Sequence, residues 1–165
     1  MNIFILDSDV KKCAQYHVDK HVVKMILETA QLLCGVHHMI SQVTQEVPYK
    51  LSHKNHPCAI WARQSLSNYL YLCELGLELC KEYTYRYGKQ HKCESMLDTL
   101  AFVPSNIPDK PFTEPTPAMP DACKVSGDSI ESYRNYYFME KKRMWSWSGK
   151  INSRMTPSWL PIVNF

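Results

Sequence analysis

The chain has 165 residues, of which 45% are hydrophobic and 21% are charged, an ordinary composition for one globular domain. These fractions exclude a disordered chain, and no apolar run reaches the roughly 20 residues that a membrane-spanning helix needs. Asp7 follows the short apolar start too closely for a signal peptide. The net charge of +3 is too small by itself to indicate a nucleic-acid partner.

The seven cysteines are an odd number and include no C-x-x-C pair. Several of them fall on apolar faces of predicted helices, where cysteine packs as a small hydrophobic residue. We therefore expect reduced thiols, no disulfide framework and a cytoplasmic location. The sequence predicts no cofactor and no membrane partner, and it leaves the oligomeric state open.

Two long helices are predicted in the first half of the chain. The first runs from about Asp9, which is a suitable N-cap, to about Val36. The second begins at Pro57, a residue that suits the first helical position, and runs to about Tyr87. Gly88 then provides its C-cap.

Two shorter helices are predicted in the second half. One covers roughly 91–102, and the other opens at Asp128, where Asp-Ser-Ile-Glu resembles a capping box, and runs to about Trp147. Between them, six prolines lie within 104–120. Because no helix or central strand tolerates that density, we predict an extended strap over 104–127.

Low glycine content and long helical periods predict a mostly α fold, with a single compact helical domain over 1–165. Its parts would be a helical core over 1–103, the proline-rich strap over 104–127, and a basic, aromatic C-terminal helix and tail over 128–165. Residues 2–6 have the composition of one short N-terminal strand, although no partner strand is evident.

The first predicted helix is apolar over most of its circumference but carries a narrow polar stripe. At 100° per residue, the polar side chains fall within roughly 80° of one another. They are His17, His21, Lys24, Glu28 and Gln31. Ionisable groups beside a core must find partners or line a cleft. The stripe is compatible with an ordinary solvated face, a metal site, or a site for proton transfer and imine formation.

The two functional interpretations use the stripe differently. For imine chemistry, His17 and His21 would move protons, Glu28 would act as acid, base or stabiliser of a cation, and Lys24 would supply a nucleophilic amine. For a metal site, the ligands would be His17, His21 and Glu28, but Lys24 would add an uncompensated cation. We therefore predict no metal and keep these three residues as the ligand set if one is bound.

A second polar cluster lies in the loop before the second predicted helix, whose N-terminus is of the kind that binds phosphate. With an arginine on the early turns of that helix, it supplies candidate DNA contacts at Lys50, His53, Lys54, Asn55, His56 and Arg63. The alternative is an ordinary capping loop with Asn55 or His56 near the N-cap.

The C-terminal segment mixes aromatic residues with cations, and residues 129–165 carry a net charge of +4. Nucleic-acid bases stack on aromatic rings, while lysine and arginine hold phosphates. Most of these aromatic side chains are nevertheless expected to pack on the core. The cations predicted to contact DNA are Arg134, Lys141, Lys142, Arg143 and Lys150.

Four motifs, taken together, resemble a family of small phage-encoded proteins. They are a Met-x-Ile-Phe start at 1–4, the helical segment His-Val-Asp-Lys-His-Val-Val-Lys-Met at 17–25, a His-Lys-Asn-His-Pro loop at 53–57, and Ala-Met-Pro-Asp at 118–121. The resemblance spans nearly the whole chain. It implies a phage protein located in the host cytoplasm.

The chain also resembles, more loosely, the pyrimidine-dimer DNA glycosylases of the endonuclease V type. The corresponding segments are the apolar start Met1–Leu6, Lys24 with Glu28, the loop Tyr49–Pro57, and the aromatic, basic segment Tyr133–Lys150. This resemblance implies a small, mostly helical enzyme whose nucleophile is the N-terminal α-amine. Because Asn2 is not a small residue after which methionine is readily removed, we expect that amine on Met1.

The leading prediction is therefore a phage enzyme of DNA repair or modification, an N-glycosylase for damaged or modified pyrimidines that also has abasic-site lyase activity. The amine of Met1 or Lys24 would attack the sugar, Glu28 would stabilise the cationic intermediate, and His17 and His21 would assist. One alternative is a metal-dependent or metal-free enzyme that modifies nucleotides or nucleic acids with the polar stripe. The other is a non-catalytic phage accessory factor that binds DNA or protein.

Overall fold

Six α-helices make up the regular structure of the described residues, which are 1–41 and 47–161 of a computed structural model. They are α1 (Val10–Tyr16), α2 (Asp19–Ile40), α3 (Pro57–Gln64), α4 (Leu66–Tyr87), α5 (Glu94–Leu100) and α6 (Ser129–Glu140). Single 3-10 turns at Asp121–Cys123 and Lys142–Met144 flank α6. The described residues contain no sheet, only an isolated bridge between Val125 and Asp128, so the prediction of a mostly α domain is confirmed.

The first predicted helix is two helices in the structure. Asp9 caps α1 as expected, because its Oδ1 accepts the Lys12 N–H at 2.9 Å. The backbone then becomes extended at His17 and Val18, with ψ angles of 134° and 154°, before α2 begins. The prediction of one continuous helix over 9–36 is therefore wrong.

A buried arginine on α4 explains the break between α1 and α2. The guanidinium of Arg86 donates to the carbonyls of Gln15 and His17, each at 2.9 Å. In a continuous helix these carbonyls would accept from N–H groups one turn later. The same guanidinium pairs with Glu82 at 2.6 Å and with Asp19 at 2.9 Å. A fully buried charge requires such partners, so the break supplies acceptors that Arg86 needs.

The second predicted helix is also interrupted, at Ser65. Pro57 opens α3 at its first position, and Gly88 ends α4 with a left-handed φ of 66°, both as predicted. Ser65 itself is extended, and its Oγ accepts the Asn68 N–H at 3.0 Å. It therefore caps α4 and separates that helix from α3.

The two shorter helices are present with narrower limits than predicted. Helix α5 lies within 91–102, and α6 stops at Glu140 instead of continuing to Trp147. Asp128 caps α6 by accepting the Glu131 N–H at 2.8 Å, as the capping-box pattern predicts. The proline-rich residues 104–120 contain no helix or strand. The last four residues of the predicted tail lie outside the described part of the chain.

Helices α2 and α4 pack along each other, and both contact α3 and α5, while α1 packs on α4. Their facing side chains form one buried apolar cluster. All seven cysteines are buried and free. Within the described residues, no helix combines the length and the apolar character needed to cross a bilayer.

Residues 2–6 form an extended, buried segment beside α2 and α6. The Phe4 ring stacks on His21, with ring centres 4.3 Å apart. The Leu6 carbonyl accepts a hydrogen bond from Nε of Arg134 at 2.9 Å. Side chains, and not a neighbouring strand, thus provide hydrogen-bond partners for backbone groups of this segment. The short strand considered for these residues does not form among the described residues.

We expect Arg86→Leu to lower the free energy of unfolding by about 3–5 kcal/mol, because it leaves buried carboxylates without their partner. Urea denaturation followed by circular dichroism measures the change. Lys81→Ala is the control, since Lys81 pairs with Glu78 at the surface, and should cost less than about 1 kcal/mol. Equal losses in the two variants would contradict the role given to Arg86.

Candidate active site

A buried carboxylate on α2 faces the N-terminus of the chain. Oε2 of Glu28 accepts the Asn2 N–H at 3.0 Å and lies 3.9 Å from the amine of Met1. Oε1 lies 3.2 Å from Nζ of Lys24, one helical turn earlier. The Glu28 side chain is only 10% exposed. One carboxylate therefore lies between two amines, of which only that of Lys24 was expected from helical spacing.

The two amines differ in their surroundings. The side chain of Met1 is 5% exposed, whereas the Lys24 side chain is 67% exposed. Lys24 therefore extends mostly into solvent beside Glu28, whereas Met1 packs against the core.

Asn2 is fixed by contacts with distant parts of the chain. Its Nδ2 donates to the Ala118 carbonyl at 2.9 Å, and its Oδ1 accepts the Tyr133 hydroxyl at 2.5 Å. The partners are 116 and 131 positions away in sequence, so no local pattern reveals them. Asn2, Ala118 and Tyr133 are therefore residues of the candidate site that sequence reasoning missed.

The loop predicted to bind phosphate brings one histidine close to the N-terminus. His56 caps α3, with its Nδ1 accepting the Cys58 N–H at 3.1 Å. Burial lowers the pKa of His56, the N-terminal amine and His53 lower it further, and Glu28 opposes them. A neutral ring that accepts at Nδ1 carries its proton on Nε2 and can donate from there. Burial raises the pKa of Cys58 to about 11, so this thiol is not a nucleophile near neutral pH.

The other members of this loop cluster lie at the surface. Lys50, His53, Lys54 and Asn55 are exposed, and Arg63 is partly buried. Nη1 of Arg63 donates to the Lys54 carbonyl at 2.7 Å and so braces the loop against α3. His53 has a φ of 51°, a left-handed value that non-glycine residues adopt rarely and mainly at functional sites or turns.

His17 and His21 are buried in the core. Burial is the main reason that the pKa of His17 falls to about 4 and that of His21 to about 3, so both rings are neutral near pH 7. Nδ1 of His21 lies 2.7 Å from the Tyr137 hydroxyl. Nδ1 of His17 donates to the Cys13 carbonyl at 2.7 Å. Both histidines thus hold neighbouring segments together.

The predicted polar stripe is divided by the break between α1 and α2. His21, Lys24 and Glu28 follow one face of α2, whereas His17 follows the last residue of α1. No group of three or more His, Cys, Asp or Glu in the described ranges is placed to hold a metal ion. The possible ligand set of His17, His21 and Glu28 is therefore not assembled.

The predicted basic patch contains one arginine that faces inward. Arg134 donates to the Leu6 carbonyl at 2.9 Å and pairs with Asp7 at 3.2 Å. Its guanidinium also lies 5.2 Å from the ring centre of Trp159. These contacts tie α6 to the N-terminal segment and occupy one edge and one face of the guanidinium.

The remaining cations of the patch are more accessible. Nζ of Lys141 lies 4.5 Å from the ring centre of Tyr136, and Nζ of Lys142 lies 6.0 Å from that of Trp145. Lys142, Arg143 and Lys150 are exposed. Lys141 and Lys24 both lie close enough to His21 to lower its pKa, after the larger effects of burial and His17. The start of the patch therefore lies near the Glu28 face of α2.

One protein family has a sequence model that matches residues 1–95, and that family is described as pyrimidine dimer DNA glycosylase. The matched region contains Met1, Lys24, Glu28 and the loop before α3. It ends before the proline-rich segment, Tyr133 and the basic patch. No significant match was found among curated proteins or among solved structures.

Since His17 and His21 bind protons more weakly in the folded than in the unfolded chain, protonation favours unfolding. The stability that the two neutral rings contribute is present above about pH 6.5 and is lost as the pH falls toward about 4. At pH 5, each histidine lowers the free energy of unfolding by on the order of 2 kcal/mol relative to neutral pH. Urea denaturation between pH 5 and 7 measures this loss.

His21→Gln should reduce the pH slope of the free energy of unfolding in this window by up to about 1.4 kcal/mol per pH unit. The slope is informative even if the variant is less stable at every pH. A slope equal to that of the wild-type protein would contradict the burial of an uncharged His21.

Proposed function

This chain belongs to the family of pyrimidine dimer DNA glycosylases, and we propose that it removes a damaged or modified pyrimidine from DNA through an imine on its N-terminal amine. The observation that carries the proposal is the position of Glu28, 3.9 Å from the Met1 amine and 3.0 Å from the Asn2 nitrogen. A neutral amine can attack the sugar, and a neighbouring carboxylate can stabilise the cation that results. Its biological setting, in this proposal, is the repair of phage DNA.

In the proposed reaction, the lone pair of the neutral Met1 amine attacks C1′ of the target nucleotide. The glycosidic bond breaks, and the base leaves with the bonding electron pair. The bond between C1′ and O4′ then opens as nitrogen forms the imine. The two protons lost by the amine balance those gained by the base and by O4′. Glu28 lies where it can carry these protons and stabilise the positive charge.

The same imine supports the abasic-site lyase step that we propose to follow. Protonation of the imine makes the C2′ hydrogen acidic, and its removal as a proton breaks the C3′–O bond. The 3′ phosphate leaves with the electron pair of that bond. Water then hydrolyses the imine and regenerates the free amine, so no redox cofactor is needed.

The remaining candidate residues receive supporting roles. Lys24 provides a positive charge at Oε1 of Glu28, 3.2 Å away, and remains the alternative nucleophile. We assign His17 and His21 to assist by holding the N-terminal segment, since both rings are buried and neutral near pH 7. His56 can donate a hydrogen bond from Nε2 beside the reacting amine.

DNA would bind across two groups of exposed polar residues. The loop group consists of Lys50, His53, Lys54, Asn55 and His56, braced by Arg63. The tail group consists of Lys141, Lys142, Arg143 and Lys150. Cations in such groups hold phosphates, and the target nucleotide must leave the base stack to reach the amine beside Glu28. We assign Arg134 a structural role because it is engaged by Leu6 and Asp7.

Sodium borohydride should trap a covalent adduct between the protein and DNA that carries a pyrimidine dimer or an abasic site. Glu28→Gln should slow base excision and trapping by at least about 100-fold, as expected for loss of a general acid–base group, with little change in DNA affinity. Absence of an adduct with the wild-type protein, together with excision by Glu28→Gln at the wild-type rate, would overturn the proposed function.

Peptide mapping of the trapped adduct identifies the nucleophile. We expect the adduct on residue 1, and we expect Lys24→Gln still to form it. Intact mass measurement of the purified protein establishes which residue carries the free amine. An adduct that maps to Lys24 and disappears in Lys24→Gln would transfer the nucleophilic role to that lysine.

We expect DNA affinity to fall steeply with salt, since each phosphate contact adds about one unit to the slope of log K against log salt concentration. Lys54→Ala and Lys142→Ala, one from each group, should each reduce the slope by about one. Lys12→Ala changes an exposed lysine on α1 and serves as the control. Fluorescence anisotropy with a labelled duplex measures these slopes, and identical slopes in all three variants would exclude the two groups as phosphate contacts.

A further inference from the structure

We propose that Tyr133 and Ala118 form a clamp on Asn2 that fixes the N-terminal amine against Glu28, and that Tyr133 is a positioning residue for imine formation. This inference rests on the proposed function, because it assigns a role within the same reaction. Both clamp residues lie beyond residue 95, where the family match ends. The clamp is thus a feature that family membership alone does not indicate.

The side chain of Asn2 is held at both ends of its amide. The Tyr133 hydroxyl donates to Oδ1 at 2.5 Å, and Nδ2 donates to the Ala118 carbonyl at 2.9 Å. The Ile3 N–H also donates to Oδ1, at 2.9 Å. Donors to Oδ1 and an acceptor for Nδ2 select one orientation of the amide, so the Cα of residue 2 has a defined position.

The surroundings of Tyr133 suit a hydrogen-bond donor that does not itself exchange protons. Its side chain is fully buried in α6, and its hydroxyl also accepts the Ala118 N–H at 3.3 Å. Burial raises the pKa of Tyr133 far above its ordinary value, so the hydroxyl keeps its proton. A hydroxyl of this kind positions Asn2 but does not act as an acid or base.

Holding Asn2 restricts the amine of the preceding residue. The Asn2 N–H donates to Oε2 of Glu28 at 3.0 Å, which fixes the planar peptide group between residues 1 and 2. A single rotatable bond, the ψ bond of Met1, then separates this peptide from the amine. The amine is thereby kept within a small region beside Glu28, and such positioning of a reacting group raises reaction rates.

The segment that carries Ala118 is itself anchored on both sides. Before it, the Thr113 N–H donates to Oδ1 of Asn68 on α4 at 2.9 Å. After it, the Lys124 N–H donates to the Asp121 carbonyl at 3.0 Å within a 3-10 turn. The Ala118 carbonyl is therefore presented to Asn2 by a braced, proline-rich backbone, in which proline limits the accessible conformations.

Tyr133→Phe removes the hydroxyl and keeps the ring. We expect the single-turnover rate of borohydride trapping on abasic-site DNA to fall by about 10-fold or more, because the reacting amine is misplaced. The dissociation constant for the same DNA should stay within about twofold of the wild-type value, since no phosphate contact is lost. An unchanged trapping rate would overturn the proposal.

Tyr69→Phe is the matched control. Tyr69 is equally buried, and its hydroxyl donates to the Leu100 carbonyl at 2.5 Å, away from Asn2 and Glu28. We expect this variant to trap at the wild-type rate, even if both variants lose similar thermal stability. Equal slowing in the two variants would show a general effect of a lost buried hydroxyl and would overturn the clamp.

A double substitution tests whether Tyr133 acts through Asn2. Asn2→Leu removes the amide and retains a side chain of similar size, and intact mass measurement verifies that residue 1 is unchanged. Adding Tyr133→Phe to Asn2→Leu should slow trapping by less than about twofold further, because interacting residues are not additive. If the two substitutions instead reduced the trapping rate independently, so that their effects multiplied, Tyr133 would not act through Asn2.

A second measurement does not depend on DNA chemistry. Reductive methylation with formaldehyde and cyanoborohydride, mapped by mass spectrometry, reports access to the amine, which lies 3.9 Å from Oε2 of Glu28 in the intact site. Relative to Lys24, the amine should react at least about threefold faster in Tyr133→Phe. Faster labelling without any wild-type DNA adduct would support the clamp and contradict the proposed function. Equal labelling and equal trapping in both proteins would overturn the clamp and leave the proposed function standing.

Discussion

The fully buried charge of Arg86 joins three parts of the chain. Its guanidinium binds the carbonyls at the end of α1 and the carboxylates of Glu82 and Asp19. Burial by itself would raise the pKa of Asp19, but hydrogen bonds from Ser146 and Arg86 hold it below its ordinary value. The Arg86 carbonyl accepts two N–H groups of the C-terminal segment, from Lys150 and Ile151. The buried charge requires its carboxylate and carbonyl partners, and the backbone of the same residue holds the C-terminal segment, so α2, α4 and the tail have a fixed relationship.

The candidate active site depends on where this arrangement places α2. The start of α2 is defined by the break that Arg86 stabilises, and Glu28 follows about two turns later on the face toward residues 2–6. Phe4 packs against His21 on that face, which brings the N-terminus to the carboxylate. Two neutral histidines and an inward-facing Arg134 hold the same segment. Structural contacts in the core therefore determine which groups meet at the candidate site.

Local signals predicted several helix limits whose cause lies within one turn, although the Ser65 cap of α4, which is equally local, was missed. Asp9, Pro57, Gly88 and Asp128 act as the sequence indicates, because each meets a backbone group next to it in the chain. The break at His17 has no such signal, since its cause is an arginine 69 positions away. The Lys24–Glu28 pair was predictable from helical spacing, whereas the approach of the Met1 amine depends on the whole fold. The prediction that His17 shares one helical face with His21 was wrong because the backbone break at His17 separates α1 from α2.

The groups that we propose to react and the groups that hold them lie in different parts of the chain. The amine, Glu28, Lys24 and His56 all belong to the first 95 residues, which the family model matches. Tyr133 and Ala118, which hold Asn2, come from the remainder. An amine on a free chain end has little tendency to remain beside one carboxylate, because ordering each residue costs about 1–2 kcal/mol of conformational entropy. The contacts of Asn2 offset that cost during folding, before substrate binds. In the mechanism that we propose, the proline-rich segment and α6 therefore complete the site by restricting the nucleophile, although they contribute no reacting atom.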